Sequence, residues 1–544
     1  MAGYYYGESN MNKATFNLAS TVLIASLLSA CGGSSSTTPE TQVPTGGTPP
    51  PTPVVTTVIG TITGFGSVFV NGVKYEVASG TVVSVEGEAD VVGDDSSLAI
   101  GMKVKLKSTE DNNIKTAEYI EYDDDLKGII ESISPDITGS ITGSITVFGQ
   151  AVYIDENTAF DDDIGNNDGN PEIDFRDLEV GMTVEISGYP TDSGFLATRV
   201  DRELDDNGND VVLGDPNIDD DELELKGTVE ALAQDLSSIT VNGIVFTIAE
   251  STMLEDGLIL EESLIGAYVE ITSDLINGDY VARKIEREDL FDDDEQEGEF
   301  EIEGVLQAID TSSDVSTITI NGLVIPVNNI ALFDGLLGLK IEVEGRFNDN
   351  GVLIVSELEQ ELEPNFKVED TIISINSENA SFTTRLGLVV SIEDGGRFED
   401  DATDAADNMT TEEFLALLMV GDLVKASAIN NSDGSVSWVK IKRLEIAADA
   451  LGESCEITGE VTEINGNESD FSVTIQGITV DSSNVLNNDF KYEDLIIGRA
   501  EFFTTLQVGS IIEAESFEGD NNCTEGMLIA EEMEFEDNEA DDDD

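Results

Sequence analysis

Ser238-Ile-Thr-Val-Asn-Gly-Ile-Val-Phe-Thr-Ile248 is the stretch that decides the reading of this chain. Ile239 and Val241 alternate with polar residues, Asn242-Gly243 interrupts the run, and Ile244, Phe246 and Ile248 resume it. A period of two marks a strand with one buried face, and Asn-Gly tolerates the positive φ that a two-residue type I′ turn needs. The stretch predicts a β-hairpin. It recurs as Phe69-Val-Asn-Gly-Val-Lys-Tyr75 and as Ile318-Thr-Ile-Asn-Gly-Leu-Val-Ile325.

Outward from the hairpin, the chain overlays itself on one template: a Gly-x-Val/Ile-x-x-Ile strand, the hairpin, then Leu-x-x-Gly-x-x-Val-x-Val/Ile. Openings stand at Gly60, Gly128, Gly227, Gly304 and Gly459, and closures at Leu98–Leu106, Leu178–Ile186, Leu264–Ile271, Leu337–Val343, Leu418–Ala426 and Leu506–Ala514. The fifth copy is degenerate: Asp370-Thr-Ile-Ile-Ser-Ile375 lacks the opening Gly, and Leu386-Gly387 replaces Asn-Gly. Length alone suggests roughly three to five domains. The template divides the chain into repeats 1 (57–125), 2 (126–222), 3 (223–299), 4 (300–363), 5 (364–450) and 6 (451–536), with an acidic tail at 537–544.

About five short strands per copy bury too little as an open sheet and leave two sticky edges. The expected fold is all-β: tandem five- to six-stranded barrels of the oligosaccharide/oligonucleotide-binding or SH3-like size class. The Gly of Leu-x-x-Gly marks a tight turn or bulge before the fourth strand. Thr411-Glu-Glu-Phe-Leu-Ala-Leu-Leu-Met-Val420 is the one segment that predicts a helix.

Composition narrows the function. Of 544 residues, 113 are acidic and 25 basic, a net charge of −88, which repels nucleic acid and anionic lipid headgroups and attracts cations. Hydrophobic residues make up 40%, and the lone Trp438 with 6% aromatics points to small cores of Ile, Val and Leu. Histidine is absent, which removes the commonest general base and metal ligand. Three separated cysteines exclude zinc ribbons and iron–sulfur clusters.

Residues 11–31 carry Lys13, an apolar run from Leu18 to Leu28 too short to span a bilayer, and Leu28-Ser-Ala-Cys31. This reads as a signal peptide within 1–31, with Met11 as the natural start. Leu28-Ser-Ala-Cys31 resembles the bacterial lipobox. The resemblance implies that Cys31 is acylated and that the protein is anchored in the outer membrane, facing either side. Residues 32–56, rich in Gly, Ser, Thr and Pro, form a disordered tether. The repeats behind that lipobox resemble the bacterial family called domain of unknown function 5666. The family implies an exported β-rich protein and supplies no catalytic residues.

Acids concentrate at Asp123–Asp125, 201–224, 286–299 and the tail. The plain expectation is a solvated, self-repelling surface that keeps the repeats apart. The sharper one is calcium on two loops, through Asp161, Asp163 and Asp168, and through Glu203, Asp205 and Asn207. The second loop has Gly214 where an EF-hand would place its bidentate Glu. Cys455 and Cys523 are expected to pair in an oxidising compartment. The leading expectation is a non-enzymatic envelope protein that needs no cofactor and meets a protein or glycan partner, or a cation, but no nucleic acid. The competing readings are a calcium-dependent adhesive module and a carboxylate glycoside hydrolase.

Overall fold

The computed structural model describes residues 54–536 except 86–88, 136–140, 166–172, 192, 205–209, 212, 214–222, 256, 289–297, 313–314, 361–363, 394, 401, 403–408, 432–434, 447–453, 467–470, 493–494 and 518–521. Cys31, most of the predicted tether and the acidic tail lie outside these residues.

Repeat 3 shows the unit. Its strands are Leu223–Leu232, Ser238–Val241, Ile244–Leu254, Tyr268–Ile276 and Asp279–Arg287. The first pairs antiparallel with the second and fourth, the second with the third, and the fourth with the fifth. A parallel pairing of the third with the fifth closes the ring. The spatial order 1-2-3-5-4-1 is a small Greek-key barrel of the oligosaccharide/oligonucleotide-binding type. Val229, Ile239, Val241, Phe246, Val269, Ile271, Ala282 and Ile285 fill its interior. Asn242 and Gly243 both take positive φ, as the hairpin turn demands.

The same ring closes in every copy. Repeat 1 joins Val73–Val85 to Ile114–Tyr122, and repeat 2 joins Gln150–Ile154 to Gly194–Arg202. Repeat 4 closes through a single parallel bridge, Val327 to Leu353. In repeat 5 the third strand is broken into Val389–Ser391 and Arg397–Asp400, and the latter closes the ring. Repeat 6 breaks its last strand into Met527–Ile529 and Glu532–Phe535.

The glycine of Leu-x-x-Gly does the same work six times. The Gly266 amide donates to the Val229 carbonyl at 2.8 Å, and the Val229 amide donates back to Ala267 at 2.9 Å. Gly101, Gly181, Gly338, Gly421 and Gly509 repeat the bond to Ile62, Ile130, Leu306, Ile372 and Val461. All six take positive φ, from 84° to 102°, where a side chain is disfavoured.

In repeats 2 to 6 a helical turn precedes that glycine. In repeat 5 it is the α-helix Thr411–Leu417, shorter than expected because Leu418 is already extended and begins the closing segment. Thr410 caps it: its hydroxyl accepts from the Glu413 amide and the Glu413 carboxylate accepts from the Thr410 amide. A second helix, Arg499–Thr505, occupies the equivalent place in repeat 6. Its first turn has a single acid, Glu501, and no capping side chain, so it lacks the local signal that marks the first.

The repeats are not held apart. Strand Val54–Gly64 of repeat 1, which starts inside the predicted tether, pairs in parallel with Glu299–Asp310 of repeat 4, from Thr56 opposite Glu299 to Ile59 opposite Ile302. Repeats 2 and 3 join through Lys127 opposite Glu224, and repeats 5 and 6 through Lys367–Glu369 opposite Glu456–Thr458. Polar side chains stitch these pairs together. Tyr189 of repeat 2 links the Thr61 hydroxyl of repeat 1 to the Glu303 carboxylate of repeat 4, and Lys103 pairs with the buried Asp125. At the joint of repeats 2 and 3, Asp123 turns inward and meets Lys226. Among the described residues, core side chains gather into four clusters, with repeats 2 and 3 sharing one and repeats 5 and 6 another.

Candidate functional site

In repeat 2, Asp161 directly precedes the turn Asp162–Ile164 and Asp163 lies within it. Burial, and then the charge of Asp201, raises the Asp161 carboxyl above its ordinary range. The Asp163 carbonyl accepts from Arg202 at 3.2 Å. Glu203 places its carboxylate 3.9 Å from the Lys127 ammonium. Asp168, Asp205 and Asn207 lie outside the described residues. Among the described residues, the predicted calcium loops bring no three of their carboxylates together. Cys455 and Cys523 are bonded, with Cα atoms 6.3 Å apart, and tie the first strand of repeat 6 to its final hairpin.

Among the described residues two other sets of carboxylates do converge, each with one oxygen per residue and these oxygens all within 4.8 Å of one another. Asp123, Glu270 and Glu288 form the first. Its centre holds the Lys226 ammonium, at 2.5 Å from Asp123, 3.7 Å from Glu288 and 4.0 Å from Glu270. Burial works to lower the Lys226 pKa, but the surrounding carboxylates outweigh it and hold the ammonium well above its ordinary value. Glu270 is pushed up to about 8, by burial first and then by Asp123. This set is a partly buried ion cluster supplied with its own cation.

Glu301, Glu342 and Glu344 form the second set, on the outer face of repeat 4. Glu301 stands on the first strand directly opposite Glu344 on the fourth, Lys340–Phe347, and Glu303 stands opposite Glu342. Across the next ladder Glu342 faces Glu359 and Glu344 faces Glu357. Like charges directly opposite one another destabilise a sheet. Burial, then repulsion from Glu301, Glu303 and Glu344, pushes the Glu342 carboxyl up to about 8. Glu301 and Glu344 are raised as well, by burial first, although Lys115 pulls both down. Asn71 of repeat 1 donates its side-chain amide to Glu301 at 3.2 Å. Among the described residues no Lys or Arg comes within ion-pair distance of these three carboxylates. Glu303 is different: it pairs with Lys340 at 3.2 Å and accepts from Tyr189.

This set escaped the sequence reading. Glu299-Phe-Glu-Ile-Glu303 and Glu342-Val-Glu344 look like ordinary solvent faces of strands. The available signal was the overlay of repeats: the equivalent fourth strand of repeat 1 reads Lys103-Val-Lys-Leu-Lys107, the opposite charge at the same template positions.

Residues 127–201, 226–286, 303–359 and 371–442 match a family model described as "Domain of unknown function (DUF5666)". These four repeats are DUF5666 domains. Repeats 1 and 6 lie outside the matched residues, yet their glycine bonds and ring closure are those of the DUF5666 repeats. A comparison with curated proteins found no match. Among solved structures, the chain is similar to Drosophila Unr CSD456, at 13% identity over 44% of this chain and 98% of that one, with a TM-score of 0.13. It is also similar to a multidomain protein with nucleic acid binding domains from Streptococcus pneumoniae TIGR4, at 11% identity over 43% and 73%, with a TM-score of 0.10. Scores this low carry no argument about what the DUF5666 repeats bind.

Proposed function

We propose that this chain is a lipid-anchored, strongly acidic protein of the bacterial cell envelope that works by interaction and not by catalysis. Leu28-Ser-Ala-Cys31 behind its apolar run supplies the anchor, and the Gly/Ser/Thr/Pro stretch up to residue 56 supplies the reach. The observation that carries the non-catalytic reading is the filling of the barrels. Val58, Ile62, Val104 and Leu106 in repeat 1, and their counterparts elsewhere, occupy the interior, so only outer faces and loops remain for partners. Those faces bear carboxylates in rows, and at −88 the whole chain repels a nucleic acid backbone. The partner class is therefore a cation, a protein or a glycan.

The test is expression in a Gram-negative host with labelled palmitate. The wild type is expected to carry label and sediment with outer membranes, and Cys31→Ser to lose both. An unlabelled wild type that fractionates like Cys31→Ser contradicts the anchor.

A further inference from the structure

We propose that Glu301, Glu342 and Glu344 of repeat 4, together with the Tyr75 hydroxyl of repeat 1, bind a calcium ion at the joint between these two barrels. This deepens the envelope reading and rests on it only for a compartment that supplies calcium.

The geometry sets the case. Three carboxylate oxygens within 4.8 Å of one another suit a single ion with bonds of about 2.4 Å, since two ligands on opposite sides of such an ion stand about twice that apart. The residues come from two adjacent strands in fixed register, Glu301 opposite Glu344, so the convergence is built by the ladder and not by a loop. Asn71 pins one oxygen of Glu301 from the neighbouring barrel.

Tyr75 is the independent observation. It sits on the third strand of repeat 1, is fully buried, and its hydroxyl makes no hydrogen bond of ordinary geometry. A buried hydroxyl without a partner costs stability unless something meets it. Burial first, and then the charges of Glu301, Glu342 and Glu344, hold this hydroxyl above its ordinary range, which sets the three carboxylates beside it. Lys115 stands over the Tyr75 ring, 5.4 Å from its centre, and softens the local negative charge without pairing with the carboxylates.

The cluster around Lys226 shows how this protein handles the same arrangement when it supplies a cation itself. At Glu301, Glu342 and Glu344 no ammonium reaches the centre among the described residues, and every donor is a hard oxygen. That donor set selects calcium over a soft metal. Carboxylates on separate flexible stems also suit calcium better than magnesium, which demands a compact octahedron and keeps its water.

The experiment uses the full chain and calcium alone, read by thermal melting in chelator and after calcium addition. Calcium is expected to raise the Tm of the wild type more than equal magnesium does. Glu342→Gln/Glu344→Gln is expected to lose most of that rise, while Glu513→Gln/Glu515→Gln, on an acidic face of repeat 6, keeps it. No rise in the wild type overturns the proposal. An equal rise in wild type and Glu342→Gln/Glu344→Gln also overturns it, because ions then act only by screening the surface. Terbium offers a second readout through tyrosine-sensitised emission. Tyr75→Phe is expected to remove the larger part of the emission that Glu342→Gln/Glu344→Gln also removes, and emission unchanged by both sets of substitutions contradicts the site. Failure of palmitate labelling at Cys31 leaves these readouts intact, so the two readings fail separately.

Discussion

The side chain of Asn242 lies across Gly227. Its Oδ1 accepts from the Thr228 amide at 3.1 Å and its Nδ2 donates to the Lys226 carbonyl at 3.3 Å. A Cβ on Gly227 would stand 2.5 Å from Cγ, Nδ2 and Oδ1 of Asn242, so the amide would have to leave its two bonds to make way. Gly60 with Asn71, and Gly304 with Asn321, repeat the close approach and keep one bond each: Asn71 Oδ1 accepts from the Thr61 amide, and Asn321 Nδ2 donates to the Glu303 carbonyl. The opening glycine and the hairpin asparagine are thus one device, joining the turn to the first strand. In repeat 5, which lacks both, the buried Asp370 takes over and accepts from the Leu386 amide and from Arg385.

Gly227→Ala is therefore expected to cost about 1–3 kcal/mol through overpacking. Asn242→Gly, which frees the space but leaves the Thr228 amide without its acceptor, is expected to make Gly227→Ala nearly harmless. A double-mutant cycle by chemical denaturation checks this, and strict additivity would contradict the coupling.

Gly266→Ala separates conformation from contact. A Cβ there meets nothing within 4 Å, yet φ is +89°. The expected loss is about 1 kcal/mol from backbone strain alone, and it is independent of Asn242.

Stability should fall as pH rises from about 4.5 to 8 in chelator. Burial followed by neighbouring carboxylates pushes Glu342 and Glu270 up to about 8. Glu513 is pushed up to about 9, by burial and then by Glu456 and Glu536. Each folded carboxyl keeps a proton that the unfolded chain, with a pKa near 4.3, releases. The folded state therefore binds more protons in that window, and the stability this brings is present below the unfolded pKa and lost as pH passes the folded one. The groups facing Glu342 are Glu301, Glu303, Glu344 and Glu359. Melting at pH 5.5 and 8.5 is expected to show the higher Tm at pH 5.5, and Glu342→Gln is expected to shrink the gap. A higher Tm at pH 8.5 without calcium would contradict the assignment.

Reduction of Cys455–Cys523 opens a loop spanning 68 positions. The expected loss is about 4 kcal/mol. Trp438, buried against Phe366 in the shared core of repeats 5 and 6, reports it as an earlier fluorescence transition.

What the sequence made legible was local. Asn242-Gly243, the glycine of Leu-x-x-Gly and the first-turn acids of the helix Thr411–Leu417 each act within a few residues, so their chemistry is written where they stand. The barrel followed from these signals because five short strands must close. The pairing of Thr56 with Glu299 was invisible, since any strand edge can meet any other and no local residue names its partner. The carboxylate set was hidden for the same reason: Glu301 and Glu344 are neighbours only once the first and fourth strands lie side by side. The helix Arg499–Thr505 carried no capping side chain to announce it.

The account turns on repeats 1 and 4, distant in sequence, sharing one sheet and one cation site. Thr56→Cys/Glu299→Cys in a Cys31→Ser background tests this most directly, because the two positions are register partners on adjacent parallel strands. The account predicts a rapid intramolecular disulfide under mild oxidation, formed faster with calcium than with chelator. Free thiols, or cross-links only between separate chains, would contradict it.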